Sequence, residues 1–308
     1  MFKHLLVPLD GSTLAESALP LAAAIARRTH ASVTLVHVIE KNAPAEIHSD
    51  RHLVDAGEAA AYLADVARRP VCAGLSVRTH VHEAVVRDVA RSITEHTEEL
   101  SPDLVVMSAH GKGGARRLFS GTLGQQVLGR SATPVVLARP GEYTAESWRV
   151  ILAPLDGYPV HEKGLPVATD LAAAFGCELH LLMVTPNLGG LTGSAQWTST
   201  LLPAATRVRL EMQSSEAREY LRRVADGLHE RGITTGTETL RGDPARLIVR
   251  TARRISADLV VMGTHGRAGT DAFWEGSVTA RVVLRARSPL LMVPLRGEGV
   301  PPLGINAP

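Results

Sequence analysis

Glycines and a hydroxyl side chain recur at spacings suited to holding a phosphorylated ligand. A segment of the second half reads Gly263-Thr-His265-Gly266-Arg267, and nine residues separate Gly266 from Gly276, which Ser277 and Val278 follow. Glycines let backbone amides approach an anion without an intervening Cβ. A serine at a helix start adds a hydroxyl to the unpaired N–H groups and the positive end of the helix dipole. We therefore interpret this segment as a phosphate cradle.

A Pro-x-Asp triplet opens each half of the chain, as Pro8 and Asp10 and again as Pro154 and Asp156. A carboxylate at the end of a strand can accept hydrogen bonds from a vicinal diol, as acidic residues at nucleotide sites do for ribose. Asp-Gly is also a common turn pair, and the turn role is compatible with the ribose role.

The first half repeats the loop with one change, since serine stands where the second half has Gly263. Its residues are Ser108, His110, Gly111, Lys112, Gly121 and Thr122. If this position requires a positive φ or a close backbone approach, the serine side chain costs on the order of 1 kcal/mol and weakens binding about fivefold. Lys112 adds a positive charge that offsets part of this loss. We expect nucleotide in both halves, bound more tightly in the second.

The whole chain is an internal repeat. HLLVPLDG from His4 returns as VILAPLDG from Val150 at an offset of 146, and DLVVM returns at an offset of 155. At roughly 150 residues per domain, the 308 residues predict two domains, 1–140 and 148–296, with a linker at 141–147 and a flexible tail at 297–308. Twelve extra residues fall between Val184 and Leu221. We place them in the Gly-, Ser- and Thr-rich stretch 186–200, as a surface loop or a lid.

Short β-branched runs alternate with longer Ala- and Leu-rich segments in both copies. This order predicts right-handed crossovers and a parallel sheet covered on both faces, with the apolar LVVM runs as buried strands. The expected fold is α/β, as two tandem doubly wound, five-stranded parallel-sheet domains that are Rossmann-like, of the nucleotide-binding α-hydrolase-like kind. Ligands of such sheets bind at the carboxyl ends of the strands, near a topological switch point.

Composition argues against several classes of protein. The net charge is only +2 with the signs mixed along the chain, and aromatics are 4%, which disfavours nucleic-acid binding. No apolar run approaches the roughly 18 residues of a membrane span, and the amino terminus lacks a signal-peptide core, so we expect a cytoplasmic protein without membrane contact. Two cysteines without a CxxC pair indicate neither a disulfide framework nor a metal site. Walker, GxGxxG and GxSxG motifs are missing at the expected places.

The pattern Gly-x-x-Gly-(nine residues)-Gly-Ser/Thr, with Pro-x-Asp after the first strand, resembles the ATP-binding branch of the universal stress protein family. The resemblance covers nearly the whole chain as two tandem copies. It implies that Asp156 contacts ribose and that the backbone at Val184, matched by Val38, meets the adenine edge. It further implies that the loop from Gly263 to Arg267 wraps the ribose and phosphates, while Gly276, Ser277 and Val278 hold the phosphate tail.

The function we expect is that of a nucleotide-dependent regulator in the stress response, binding ATP, ADP or AMP, with or without Mg²⁺, without efficient catalysis. His110 and His265 are interpreted as loop-stabilising residues, because the sequence shows no titratable partner to tune them. Two alternatives stay open: a slow ATP hydrolase or phosphotransferase, and a nucleotide-free interaction scaffold. The apolar last strand of each half predicts an internal pseudo-dimer and a homodimer, with a regulatory protein partner that the sequence does not identify.

Overall fold

The computed structural model describes residues 1–44, 46–47, 50–109, 123–141, 143, 147–158, 161–187, 201–264 and 277–295. The predicted tail 297–308 lies outside them, and the predicted domain boundaries stay predictions.

Strands and helices alternate in both halves, as the sequence pattern predicted. The first half contains β1 (His4–Pro8), α1 (Thr13–Glu16), α2 (Leu19–Thr29), β2 (Ser32–Glu40), β3 (Glu46–Ile47), β4 (Asp50–Arg51), α3 (Ala56–Arg68), a 3₁₀ turn (Pro70–Cys72), β5 (Val77–Val86), α4 (Val89–Glu99), β6 (Leu104–Ser108), α5 (Leu123–Arg130) and β7 (Val135–Ala138).

The second half repeats this series with a longer central helix. It contains β8 (Val150–Leu155), α6 (Gly164–Phe175), β9 (Glu178–Thr185), α7 (Pro203–His229), β10 (Thr235–Arg241), α8 (Pro244–Arg254), β11 (Leu259–Thr264), α9 (Val278–Arg285) and β12 (Leu290–Pro294). Among the described residues, no helix is both long enough and apolar enough to cross a membrane.

One ten-stranded sheet runs through both halves in the order β10-β9-β8-β11-β12-β7-β6-β1-β2-β5. Each half contributes five strands that pair in parallel, which confirms the predicted fold. The halves join where β12 pairs antiparallel with β7, with Leu291 opposite Val136. The last strands therefore form the internal pseudo-dimer. β7 and β12 each pair with a strand of the same chain on both sides. Neither strand therefore has a free edge through which the expected homodimer could form.

Helices cover both faces of the sheet. One apolar cluster unites α2, α3, α6 and α7 with side chains such as Leu5 and Ile151, both fully buried. The other unites α4, α5, α8 and α9 with the next residues along the strands, Leu6 and Leu152. Because successive side chains of a strand point to opposite faces, a continuous apolar run is what a strand covered on both sides requires.

The extra residues of the second copy lie in a helix. α7 has 27 residues, whereas its counterpart α3 has 13. The buried Leu63 of α3 corresponds to the buried Leu221 of α7, so the added turns precede this point. Between the preceding strand and the helix lie 15 residues (41–55) in the first half and 17 (186–202) in the second, of which 188–200, with the predicted loop or lid, fall outside the described residues. The prediction that 186–200 holds the insertion is therefore wrong.

Candidate functional site

The predicted site residues lie at the topological switch points of the two half-sheets. From β8 the chain proceeds through β9 and β10 on one side, while β11 and β12 lie on the other. A cleft opens at the carboxyl ends of the two central strands of such a sheet. Pro154 lies in β8, and Asp156 comes directly after that strand. Gly263 is the second-last residue of β11 and lies at the same edge of the sheet. In the first half, Pro8, Asp10 and Ser108 take the equivalent places.

Asp156 is held by two donors and still faces solvent. Its Oδ1 accepts a hydrogen bond from the Tyr158 amide at 3.0 Å, and its Oδ2 lies 2.5 Å from Nδ1 of His161. The carboxylate is 50% exposed. Gly157 has a φ of +81°, which a glycine adopts without strain. The turn role and an oriented carboxylate thus coexist at this residue, and a carboxylate has further lone pairs to offer a ligand.

Asp10 has the same turn but different surroundings. Its Oδ1 accepts from both the amide (2.9 Å) and the hydroxyl (2.6 Å) of Ser12. The segment Asp50–Leu53 lies over this turn: the Asp50 carboxylate accepts from the Thr13 amide at 2.8 Å, and a Cβ on Gly11 would come within 2.9 Å of Leu53. Asp10 is half-buried, whereas Asp156 is exposed. The carboxylate of the second half is therefore the more accessible of the two.

Gly263 is required by close packing and not by its backbone angles. Its φ is not positive, and a Cβ at this position would overlap the backbone carbonyl oxygen of His161. Ser108, its counterpart, sits in β6 with an ordinary strand conformation. The alternative based on positive φ is thus wrong, and the close approach comes from the protein's own chain. Serine in the first half carries no backbone penalty.

Val38 and Val184 follow the last residues of β2 and β9 that pair with the central strands, by two residues and by one. β1 pairs with β2 only as far as Pro8 and Val36, apart from one further bond from the Leu9 amide to the Val36 carbonyl. β8 pairs with β9 as far as Leu155 and Met183. Beyond these points the edges of β2 and β9 that face the cleft are no longer covered by β1 or β8, although the last β8–β9 pair still engages the Val184 N–H with the Leu155 carbonyl. An adenine ring can be hydrogen-bonded by such an edge.

His37, interpreted as a core residue, is 1% exposed. Its Nδ1 lies 2.8 Å from the Leu9 carbonyl and its Nε2 lies 3.0 Å from the Leu53 carbonyl. This ring ties the end of β1 to the segment Asp50–Leu53 that covers Asp10.

Ser277 caps a helix as predicted. Its hydroxyl accepts from the Ala280 amide at 3.0 Å, and Val278 is the first residue of α9. Capping satisfies one of the four unpaired amides of a helix start and leaves the positive end of the dipole in place. This end of α9 is the part of the predicted phosphate cradle that lies within the described residues. The other predicted loop residues lie outside the described part of the chain: His110, Gly111, Lys112, Gly121, Thr122, His265, Gly266, Arg267 and Gly276.

A tyrosine–glutamate pair stands beside each aspartate, and the sequence analysis missed it. Tyr62 donates to Glu16 at 3.0 Å, and Tyr220 donates to Glu162 in the second half. Burial first, and then the neighbouring carboxylates, raise the pKa of both phenols well above the ordinary value, so both stay protonated at neutral pH. The repeat contained the signal, since each Tyr and each Glu recurs at the local offset of its segment.

His161 was also missed, because its counterpart in the first half is Ala15 and the repeat gives no hint of it. In the part of the chain that the structure describes, no group of three or more His, Cys, Asp or Glu side chains is arranged to hold a metal ion.

A family model and several related sequences all match this chain to the same family. The model of the universal stress protein family matches residues 1–139 and 147–294. A universal stress protein of Mycolicibacterium smegmatis is 28% identical over 302 residues, which covers 94% of this chain and 96% of that protein. One from Methanocaldococcus jannaschii is 32% identical over 148 residues, 47% of this chain and 82% of its own length.

A solved structure has the same fold over both halves. The crystal structure of a universal stress protein from Archaeoglobus fulgidus superposes with a TM-score of 0.72 at 18% identity, covering 94% of this chain and 96% of that one. Both halves of the present chain thus have a counterpart in one tandem relative.

Proposed function

The chain belongs to the universal stress protein family, and we propose that it binds an adenine nucleotide and acts as a nucleotide-dependent regulator in the stress response. The ligand of the proposal is ATP, ADP or AMP, with or without Mg²⁺. Its bound state would be recognised by another protein in the cytoplasm.

The observation that carries this proposal is the placement of Asp156. An exposed carboxylate, oriented by Tyr158 and His161, stands at the carboxyl end of β8 at the switch point of the half-sheet. Val184, where pairing with β8 ends, lies on the neighbouring strand, and the capped start of α9 supplies a positive dipole end. A diol acceptor, an edge for a heterocycle and an anion-binding helix start are the three groups that a nucleotide needs.

A binding role fits these side chains better than a catalytic one. The Tyr158 amide and the His161 ring fix the orientation of the Asp156 carboxylate, as a ligand-holding group requires. Tyr220 keeps its proton because burial and Glu162 raise its pKa. A group that is to abstract a proton at neutral pH needs a pKa near the operating pH. We therefore assign the described residues of this site to holding the ligand.

The two halves are proposed to differ in affinity. The segment Asp50–Leu53 covers the turn that carries Asp10, and both the amide and the hydroxyl of Ser12 bond to that carboxylate. Ligand binding in the first half must displace these contacts, whereas Asp156 is already exposed. This reason for tighter binding in the second half replaces the one based on Ser108.

The test begins with the protein purified from cells. Mass spectrometry of the ligand released on denaturation identifies the nucleotide and its stoichiometry. Calorimetric titration of the stripped protein with AMP, ADP and ATP then gives the affinities. Binding must also raise the melting temperature, because a ligand of the native state stabilises it. If millimolar nucleotide neither releases heat nor shifts the melting temperature, the scaffold alternative replaces the proposal.

Regulation and catalysis are separated by measuring turnover. A regulator holds ATP with no hydrolysis above the rate in buffer, whereas a hydrolase releases phosphate in proportion to protein concentration. Phosphate release that is lost in the Asp156→Asn variant and kept in Asp226→Asn would overturn the binding-only role.

A further inference from the structure

A groove between α8 and α9 is lined almost entirely by arginine. It encloses about 600 Å³, and its walls are Arg246, Val249, Arg250, Arg253, Arg254 and Arg285. This size is typical of a small-molecule site. The groove lies along the helices that cover one face of the second half-sheet.

The arginines of α8 form a row on one side of the helix. Arg246, Arg250 and Arg253 are spaced i, i+4 and i+7, which places them on a single helical face. At 1.5 Å per residue this row is about 10 Å long. Arg285 faces it from the end of α9. All five arginines are exposed.

Most of these arginines form no ion pair with the described residues, although the backbone amide of Arg246, and less strongly the charge of Arg285, lower the pKa of the Asp243 carboxyl. Arg254 pairs with Glu238. Among the described residues, the side chains of Arg246, Arg250, Arg253 and Arg285 form no ion pair. Cations in the last turn of a helix are favoured by its dipole, which accounts for Arg253 and Arg285. It does not account for Arg246, in the first turn, where the dipole disfavours a cation.

The other half of the repeat shows that the fold does not require three of these charges. The capping residues Asp88 of α4 and Asp243 of α8 differ by 155 positions. The same offset places Glu95, Glu98 and Glu99 of α4 where α8 has Arg250, Arg253 and Arg254, while Arg91 and Arg130 match Arg246 and Arg285. Three of the five arginines are thus replaced by acidic side chains at equivalent places on the same scaffold. The even mixing of charge along the sequence hides this contrast.

We propose that the groove binds a compact anion that carries several phosphate groups, of the inorganic polyphosphate class. Guanidinium groups form paired hydrogen bonds with phosphate oxygens, and a row of them matches a chain of phosphates. Among the described residues that line the groove, Val249 is the only apolar side chain and none is aromatic. A protein partner would need apolar or aromatic anchors, and single-stranded nucleic acid would need stacking surfaces. A compact and highly charged ligand needs neither.

Titration of the full-length protein with inorganic tripolyphosphate tests the proposal. The groove variant is Arg250→Gln/Arg253→Gln. Its matched control is Arg207→Gln/Arg209→Gln, two exposed arginines of α7 on the opposite face, for which the described residues provide no ion pair. We expect the control to bind like the wild type and the groove variant to bind at least tenfold more weakly. Both variants keep the proposed nucleotide site intact, so any contribution of that site is the same in both.

Further ligands separate the possible classes. Orthophosphate at equal phosphorus concentration should bind much more weakly than tripolyphosphate, since fewer guanidinium groups are engaged. An unchanged affinity in the groove variant, an equal loss in the control, or no binding of tripolyphosphate by the wild type overturns the proposal. Tighter binding of an oligodeoxyadenylate or of a polyaspartate peptide than of tripolyphosphate, lost in the groove variant, would overturn the ligand class.

Discussion

The backbone carbonyl oxygen of His161 occupies the space that a Cβ on Gly263 would need. The turn after β8 therefore lies directly against the end of β11, and only glycine permits this distance. His161 is also the residue whose ring bonds to Asp156. The glycine of the loop thus sets the position of the carboxylate that we assign to ribose, and this coupling acts even without ligand.

Replacing Gly263 by alanine should destabilise the protein by about 1–3 kcal/mol, the usual cost of forcing extra atoms into a packed site. The turn must move away, and His161 with it, so AMP affinity should fall as well. Urea unfolding and calorimetric titration measure the two effects. Ser108→Gly is the control in the other half. It should change stability by only about 0.5–1 kcal/mol, the cost of glycine in a strand. A Gly263→Ala variant as stable as the wild type would contradict the packing argument.

The two aspartates should differ in their effect on nucleotide binding. Asp156→Asn keeps the acceptor for the Tyr158 amide but loses the charge and the bond to His161, so AMP affinity should fall about tenfold. Asp10→Asn should change it less, because Ser12 and the segment Asp50–Leu53 already engage that turn. Asp226→Asn, at an exposed position of α7, serves as the control and should have no effect. An equal or larger loss for Asp10→Asn would show that the first half carries the tighter site.

A pair of histidines makes the first half sensitive to acid. Nδ1 of His96 lies 2.7 Å from the Ser92 carbonyl, which only accepts, so this nitrogen carries the proton. Nε2 of His96 is then the acceptor for Nε2 of His80, 2.9 Å away. Burial, and then the neighbouring His96, lower the pKa of His80, as does His82, while Glu99 acts in the opposite direction.

This lowered pKa fixes the sign of the pH dependence. The unfolded chain binds a proton at His80 below about pH 6.5, whereas the folded protein resists it. The free energy of unfolding should therefore be constant above this pH and fall below it. Unfolding in urea at about pH 7.5 and 5.5 measures the loss. His80→Gln keeps a donor for His96 without titrating, so its loss of stability at the lower pH should be smaller than that of the control His229→Gln. Equal losses in the two variants would refute the assignment.

The repeat and the strand pattern were enough to predict the fold. Short apolar runs bounded by Gly, Pro and Asp determine the strand positions locally. The alternation of strands and helices then favours one topology, a parallel sheet with right-handed crossovers. The insertion was misplaced because a stretch rich in Gly and Ser looks like added loop. In the structure, the added residues instead form extra turns of α7. Few side chains of these turns are buried, Leu210 among them. Composition alone does not locate such turns.

The site was predictable only where the repeat conserved its residues. Asp10 and Asp156 follow the central strands in both halves, and Ser277 caps α9 as its sequence suggests. His161 and the segment Asp50–Leu53 each belong to one half, so comparing the halves reveals neither. Their roles depend on which turn packs against which strand end. That information lies in tertiary contacts such as His161 with Gly263.

Ser277 offers a way to separate capping from phosphate binding, two roles that use the same amides. Aspartate caps a helix as well as serine does, and its charge is favourable at this end of the dipole. Ser277→Asp should therefore keep the stability of the unliganded protein, whereas Ser277→Ala should lose about 1 kcal/mol. A phosphate at this helix start would be repelled by the new carboxylate. AMP affinity should then fall at least tenfold in Ser277→Asp, while adenosine, which has no phosphate, should bind as it does to the wild type. Undiminished AMP binding by Ser277→Asp would place the phosphate elsewhere.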